Sequence, residues 1–298
     1  MKNKIKKIGI IIKHHHAEAA TLSLDLAHQL VNRGIQVYFC DESARVLKNN
    51  RSSANRHIRI VKKENLASEV NFIIVLGGDG TYLSAARLMR ESSKPILGVN
   101  MGTLGFLTEV RKDELHDVLG RILNTGKCAI SERMMLEVKV IRKGKVVLED
   151  LVVNDAVVSK GAIARIIGVK MDVNGEWANT VRADGMIIST PTGSTAYSLA
   201  AGGPIVMPQL GCMLLTPICP HGLTQRTLVL PDTVTVELTL EHMPGHVYLT
   251  VDGQNGLDLK DGDLIRISKF KKHRLKIVRA QSRDYFSLLR EKLNFGGK

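Results

Sequence analysis

An apolar strand that runs into a glycine turn and out into a helix leaves few folds open. Asn71–Leu76, followed by Gly77-Gly78-Asp79-Gly80-Thr81 and a helical run with Leu83, Arg87 and Leu88, is such a unit. A turn of this kind belongs at the C-terminal edge of a parallel sheet, where α/β proteins bind their ligands. The neighbouring sequence repeats the alternation. Ile8–Ile12 is a continuous apolar run, suited to a strand buried on both faces. Leu22, Leu26 and Leu30 fall on one helical face, and Gly34 stops that helix. Ile35–Cys40 and Pro95–Asn100 read as further strands and Asp113–Leu123 as a further helix. Strands alternating with helices imply a parallel sheet with covered faces.

The pattern changes after Gly126. Met135–Ile141 is strand-like, Arg142-Lys143-Gly144 is a turn, and Val146–Val158 reads as one more strand. Ile163–Val173 leads to Asn174-Gly175, a hairpin signal. Leu228–Leu240, His246–Val251 and Asp263–Phe270 continue the β pattern. The expected architecture is an α/β N-terminal domain with a parallel sheet over 1–126 and an all-β (β-sandwich) C-terminal domain over 127–283. A last helix within about 284–298, carrying Leu288, Leu289 and Leu293, packs back on the first domain. Two domains also suit 298 residues, because single cores stop growing near ~250 residues.

Composition narrows the function classes. Hydrophobic residues make up 44% and charged residues 24%, as in ordinary globular chains. No apolar run reaches the ~18 residues that span a bilayer. The N-terminus is basic and then apolar, but His14, His15 and His16 stand where a signal peptide needs small residues. The segment therefore reads as a buried first strand, and the expected location is the cytoplasm. The three histidines are adjacent, point in different directions and have no identifiable partner ligand, so no metal site is expected there. Cys40, Cys128, Cys212 and Cys219 form no CxxC pair and read as reduced, packed thiols. The net charge of +13 is concentrated at Lys2–Lys7 and Lys269–Lys276. Few aromatics accompany these clusters, so a stacking platform for single-stranded nucleic acid is absent. Solvated faces and an anion-rich active site account for the charge without a nucleic acid or a membrane as partner.

Four segments carry chemistry. Gly77, Gly78 and Gly80 let backbone N–H groups approach a phosphate. Asp79 does not favour a phosphate by charge, so it reads as a general base or a contact to Mg²⁺ or a sugar hydroxyl; the alternative is a structural turn with a capping Asp. No GK[ST] follows, as a Walker A loop requires, and no GxGxxG follows the first strand. Asn100-Met101-Gly102-Thr103-Leu104-Gly105-Phe106 is a second glycine loop on the same sheet edge, either part of the pocket or a plain connection. Asn154 and Asp155 interrupt the apolar run LVVNDAVV, where polar groups are costly unless satisfied; they mark a bulge or ligand contacts. Arg182–Pro204 is dense in hydroxyls and glycines, with one aromatic, Tyr197. That suits stacking on a nucleobase and hydrogen bonding to ribose, or a small-residue loop between domains.

GGDGT at 77–81, NMGTLGFLTE at 100–109, VVND at 152–155, ADGMIISTPTGSTAYSLAAGGPI at 183–205 and LTPICPH at 215–221 together resemble the NAD kinase family, in order and spacing, over nearly the whole chain. GGDGT alone is shared with phosphofructokinases and with diacylglycerol- and sphingosine-type lipid kinases; STPTGSTAYSLAAGGP is far more specific. The resemblance implies a kinase that moves the γ-phosphate of ATP to the 2′-hydroxyl of NAD's adenosine ribose. It implies an active site between the two domains, Mg²⁺ as cofactor, and a homo-oligomer, dimer or tetramer. By position it makes Asp79 the catalytic base with Gly80 beside it, and gives NAD's nucleoside to Asn154 and Asp155. Arg165, Arg182, Asp184, Thr195, Ala196, Tyr197, Ser198, Leu199, Ala200 and Gln254 match further substrate-contact positions. Where some relatives carry Arg, this chain has Ser84, which supplies no cation. Two other readings remain. A lipid or sphingoid kinase sharing GGDGT needs an apolar substrate channel or a membrane-docking surface, and a non-catalytic NAD-binding sensor would lose the base that Asp79 provides.

Overall fold

A computed structural model describes residues 5–13, 16–47, 57–162, 165–243, 245–280 and 283–296. His14, His15 and the start of the expected strand at Ile163 lie outside the described residues. His16 has a local role: its Nδ1 accepts from Ala19 N at 3.3 Å and caps the helix Ala17–Asn32. The chain divides into two compact units, Met1–Glu132 with Leu275–Lys298, and Arg133–Arg274.

In chain order the first stretch carries β1 (Lys7–Ile12), β2 (Gln36–Cys40), β3 (Ile58–Val61), β4 (Phe72–Gly77), β5 (Pro95–Asn100), β6 (Val110–Arg111) and β7 (Ile130–Arg133). The second unit carries β8 (Leu136–Arg142), β9 (Lys145–Val152), β10 (Asp155–Lys160), β11 (Ile167–Val173), β12 (Glu176–Ala183) and β13 (Gly185–Ser189). It continues with β14 (Cys212–Ile218), β15 (Leu228–Pro231), β16 (Val236–His242), β17 (Val247–Val251), β18 (Asn255–Asp258) and β19 (Leu264–Lys269). β20 (Leu275–Val278) then rejoins the first unit.

The first unit is built on one sheet in the order β3-β2-β1-β4-β5-β20-β7, with β6 on β5. β1, β2, β4, β5 and β20 pair in parallel where they adjoin. β4 and β5 are buried at every position, as unbroken apolar runs require of a sheet covered on both faces. The helix Ala17–Asn32 buries Leu26 and Leu30, and the helix Leu115–Thr125 buries Leu115, Leu119 and Ile122. Gly126, at φ 67°, ends the latter in the left-handed conformation. The helix after the GGDGT turn runs only over Asp79–Ala86 and tightens into a 3-10 turn at Arg87–Glu91. The C-terminal helix Tyr285–Leu293 belongs to this unit, and β20 precedes it into the sheet interior.

The second unit is two antiparallel sheets, β15-β14-β13-β10-β17-β18 and β12-β11-β16-β19-β8-β9. Val138, Val169, Leu238 and Ile265 of one sheet and Val158, Ile188, Leu215 and Leu249 of the other share one apolar cluster. The unit is therefore a β-sandwich. Two runs read as single strands are each two strands. Val146–Val158 breaks after Val152, and Leu228–Leu240 breaks after Pro231. At both breaks the chain leaves one sheet for the other, and the apolar pattern runs on because both halves face the same core.

Candidate active site

In the first unit the two glycine loops lie side by side. β4 and β5 pair with Gly77 opposite Asn100, so both strands end at one level of the parallel sheet, and their loops leave together. Asp79 joins them. Its Oδ1 accepts from Leu107 N (3.1 Å), Thr108 N (3.1 Å) and Thr108 Oγ1 (3.0 Å), and its Oδ2 accepts from Phe106 N (2.9 Å). Gly105 is required by this closeness, since a Cβ there would lie 2.0 Å from Asp79 Oδ1. Asn100 completes the arrangement: its Oδ1 accepts from Gly102 N (2.6 Å) and its Nδ2 donates to Thr108 Oγ1 (3.1 Å). The second glycine loop is thus a scaffold for Asp79. Further out, Arg279 Nε donates to the buried Glu109 at 3.0 Å, and Arg283 donates to the Glu109 carbonyl at 3.0 Å and to Glu114 at 2.8 Å. The C-terminal segment thereby anchors the far end of the same loop.

In the second unit the topology gathers three motifs. Asp155 opens β10 opposite Ser189, the last residue of β13, and β17 pairs with β10 through Val251 opposite Ala156. ND, STPTGST and the VDGQ turn therefore leave one end of three adjacent strands. Asn154 occupies the corner where the chain crosses between sheets. The backbone there is satisfied by Asp252, whose carboxylate accepts from Val153 N (3.1 Å to Oδ2), Asn154 N (2.7 Å) and Asp155 N (3.1 Å). Thr190 N donates to the Asn154 carbonyl at 2.9 Å. Gly193 packs on that carbonyl, which lies 2.1 Å from where its Cβ would be. The Asn154 side-chain amide has no hydrogen-bond partner among the described residues. Neither a bulge nor a bare strand describes this place: it is a corner braced from behind, presenting one unpaired amide.

Asp155 is only 5% exposed. Burial first, and the neighbouring Asp252 charge second, raise its pKa to about 7, against a hydrogen bond from the Tyr197 backbone N–H that favours the anion. The sign of the pH effect follows. The folded chain holds a proton on Asp155 between about pH 4 and 7 that the unfolded chain has lost. This group's contribution to stability is full below the unfolded value and fades as pH rises through 7. Asp155→Asn is therefore expected to flatten the fall in melting temperature between pH 5 and pH 8, and to melt higher than the parent at pH 8. Parallel melts across that range check it, and equal slopes would refute the burial argument.

The remaining candidates separate. Tyr197 is 46% exposed, so its ring is available to a ligand; Thr195, Ala196 and Leu199 are half-buried and Ala200 exposed around it. Ser198 is fully buried, its hydroxyl 2.9 Å from Thr216 Oγ1, and it braces the segment instead of facing outward. Gln254 is exposed in the turn after Asp252. Asp184 is paired with Lys160 at 2.9 Å. Arg182 is exposed on β12, and Arg165 is exposed on the loop before β11; the described contacts bring neither to the corner. Asp252 was missed by sequence reasoning, although it lies two residues before Gln254, as was Thr108. Among the described residues no group of three or more His, Cys, Asp and Glu side chains is placed to hold a metal ion. No helix of the described residues is long and apolar enough to cross a membrane.

Comparison with known proteins agrees with this arrangement. The ATP-NAD kinase N-terminal domain family matches residues 8–128, and the ATP-NAD kinase C-terminal domain family matches residues 153–280. An NAD kinase of Geobacter metallireducens is 46% identical over 292 residues, covering 98% of this chain and 99% of that protein. One of Citrifermentans bemidjiense is 43% identical over 293 residues with the same coverage. Among solved structures, yeast NADH kinase complexed with NADH superposes with a TM-score of 0.91 at 26% identity, covering 100% of this chain and 90% of that one. An NAD kinase from Archaeoglobus fulgidus in complex with ATP shares the fold, with a TM-score of 0.72 at 24% identity over 96% of this chain and 99% of that one. With both domain families matched and relatives this similar over their full length, the chain belongs to the ATP-NAD kinase family.

Proposed function

We propose that the chain transfers the γ-phosphate of ATP to the 2′-hydroxyl of the adenosine ribose of NAD, giving NADP. The observation that carries the proposal is the Asp79 carboxylate, fixed at the C-terminal edge of a parallel sheet with unequal demands on its two oxygens. Oδ1 accepts three hydrogen bonds and Oδ2 one. Each carboxylate oxygen offers about two lone-pair sites; three donors crowd Oδ1, so the open site is on Oδ2. A ribose hydroxyl donating to Oδ2 delivers its proton there as the oxygen attacks the γ-phosphorus and the bond from that phosphorus to the bridging oxygen breaks, releasing ADP, and the backbone donors hold the base still meanwhile. The glycine turn at 77–80 lets backbone N–H groups meet the charge that spreads over the transferred phosphoryl oxygens.

Mg²⁺ enters in this reading with the phosphates of ATP, since it is commonly held by one or two carboxylates plus substrate phosphates and not by an all-protein cage. Asn154 and Asp155 receive the nucleoside of NAD, the open amide of Asn154 pairing with its hydroxyls or base edge. The Tyr197 ring packs on its base or ribose. Arg165, Arg182, Asp184 and Gln254 are assigned to substrate on family position alone. A homo-oligomer forms part of the proposal: Leu228 and Val229 are exposed on β15, an edge strand, and Leu223 nearby in sequence is 92% exposed, an apolar edge that chains cover by association.

Purified protein incubated with ATP, Mg²⁺ and NAD, with product read by an NADP-specific dehydrogenase, tests the reading; no NADP formed by folded protein refutes it. Tyr197→Ala tests the second unit's part. A face contact is worth about 0.5–1.5 kcal/mol beyond buried area, so KM for NAD should rise about 2- to 12-fold at near-constant kcat. An unchanged KM would remove the ring from the site.

A further inference from the structure

The basic run Lys269–Lys276, Lys-Phe-Lys-Lys-His-Arg-Leu-Lys, has no part in the phosphotransfer reading. In the second unit five of its first six residues, all but Lys272, border a cavity of about 500 Å³ beside the turn between β15 and β16. Lys269, Lys271, His273 and Arg274 line it, with Ser268 and Asp232. The wall thus carries three permanent cations and one carboxylate, and that carboxylate is engaged: Asp232 accepts from Lys269 Nζ at 2.6 Å.

His273 is the decisive residue. Its ring packs edge-on against Phe270, with centroids 5.3 Å apart and planes at 82°. Both ring nitrogens, Nδ1 and Nε2, are shielded from solvent and have no hydrogen-bond partner. Buried polar atoms in native proteins are paired, and the exceptions mark an unfilled role. Here the exceptions belong to a side chain on the wall of a cavity ringed by cations.

We propose that this cavity binds a small anion bearing two adjacent phosphate groups. Lysine and arginine side chains are the usual holders of phosphate oxygens; the Ser268 hydroxyl adds a neutral donor, and the His273 imidazole joins them once its ring turns a shielded nitrogen toward the cavity. A volume near 500 Å³ is within the range of small-molecule sites, roughly 300–1,000 Å³. Val234 and Phe270 are the hydrophobic residues of a wall otherwise made of charged, imidazole and hydroxyl side chains. The required chemistry is a diphosphate, free or within a dinucleotide. The site is formed by residues of the second unit alone and does not depend on the reading of Asp79.

The test watches His273 directly. In full-length ¹⁵N-labelled protein its ring resonances are assigned by their loss in His273→Gln, then followed during titration with inorganic diphosphate without Mg²⁺, at constant ionic strength. A saturable shift is expected, weakened about tenfold or more in Lys271→Glu, the equivalent of losing one charge-assisted contact. A parallel titration with NAD identifies the source: tighter response to NAD assigns the site to a dinucleotide, and tighter response to inorganic diphosphate to the free anion. Resonances unmoved by either compound up to roughly 10 mM, where binding is negligible, would overturn the proposal. So would an equal shift from added chloride, or unchanged affinity in Lys271→Glu.

Discussion

Asp79→Asn is expected to lower kcat by at least ~10²-fold, within the range for a general acid–base group, while KM for NAD moves much less. The geometry adds a second consequence. An amide at this position turns one acceptor into a donor, which then faces either Phe106 N–H or the three donors gathered on Oδ1. Hydrogen bonds to a charged group are worth about 1.5–3 kcal/mol each, so the variant is also expected to melt lower. Steady-state kinetics at a temperature well below that melt separate the two effects. Turnover within about threefold of the parent, far short of an acid–base contribution, would remove Asp79 from the chemistry and leave it a brace for the 105–108 loop.

Asp252→Ala carries the largest expected loss of stability. It deprives Val153, Asn154 and Asp155 of the only acceptor shown for their backbone N–H groups at the sheet crossing, and each buried donor left unpaired costs about 1–3 kcal/mol. Asp252 also sits at φ 49°, a left-handed conformation that Asp tolerates better than Ala does. Relief of the repulsion toward Asp155 offsets part of the loss. A net cost of about 3 kcal/mol lowers the melting temperature by roughly 6–12 °C in a chain of this size. Asp252→Asn isolates the electrostatic share, because it keeps an acceptor and removes the charge. In that variant the pKa of Asp155 should drop below its parent value of about 7, yet stay above 3.8 because burial remains the larger cause. Carbon-13 titration of the Asp155 carboxyl reads this; a pKa unchanged from the parent would show that Asp252 contributes nothing to it.

Much of this was legible in the sequence because the signals were local. GGDGT follows an apolar run, so the glycine turn, the strand before it and the helix after it could all be placed from neighbouring residues. The polar pair in LVVNDAVV announced an exception to the core pattern, and Tyr197 stood out as the one aromatic among hydroxyls. What could not be read were features made by distance along the chain. Asp252 reaches residues 97 to 99 positions away, and the donors that hold Asp79 come from 27 to 29 positions downstream. The strand breaks at Val152 and Pro231 were hidden for another reason: a crossing between two sheets of one sandwich does not interrupt hydrophobicity, since both sides of the crossing feed the same core. β20 escaped because four residues, one of them Lys276, sit at the end of a basic run whose charge masks the strand.

The placement of β20 has a consequence for synthesis. It lies between β5 and β7 in the sheet, yet it is translated only after every residue of the second unit. The second unit, Arg133–Arg274, is continuous and is fully translated before the first unit's sheet can close. Until Leu275–Val278 emerges, β5 has only the short β6 on that side, at Val99 and Asn100, its Pro95–Leu97 stretch is unpaired there, and the 101–109 loop lacks Arg279 and Arg283 as anchors. The nascent chain therefore keeps the Pro95–Leu97 edge of β5 open until the whole second unit has been made, and a premature stop just after Arg274 leaves that unit whole while stripping the first unit's sheet of an interior strand.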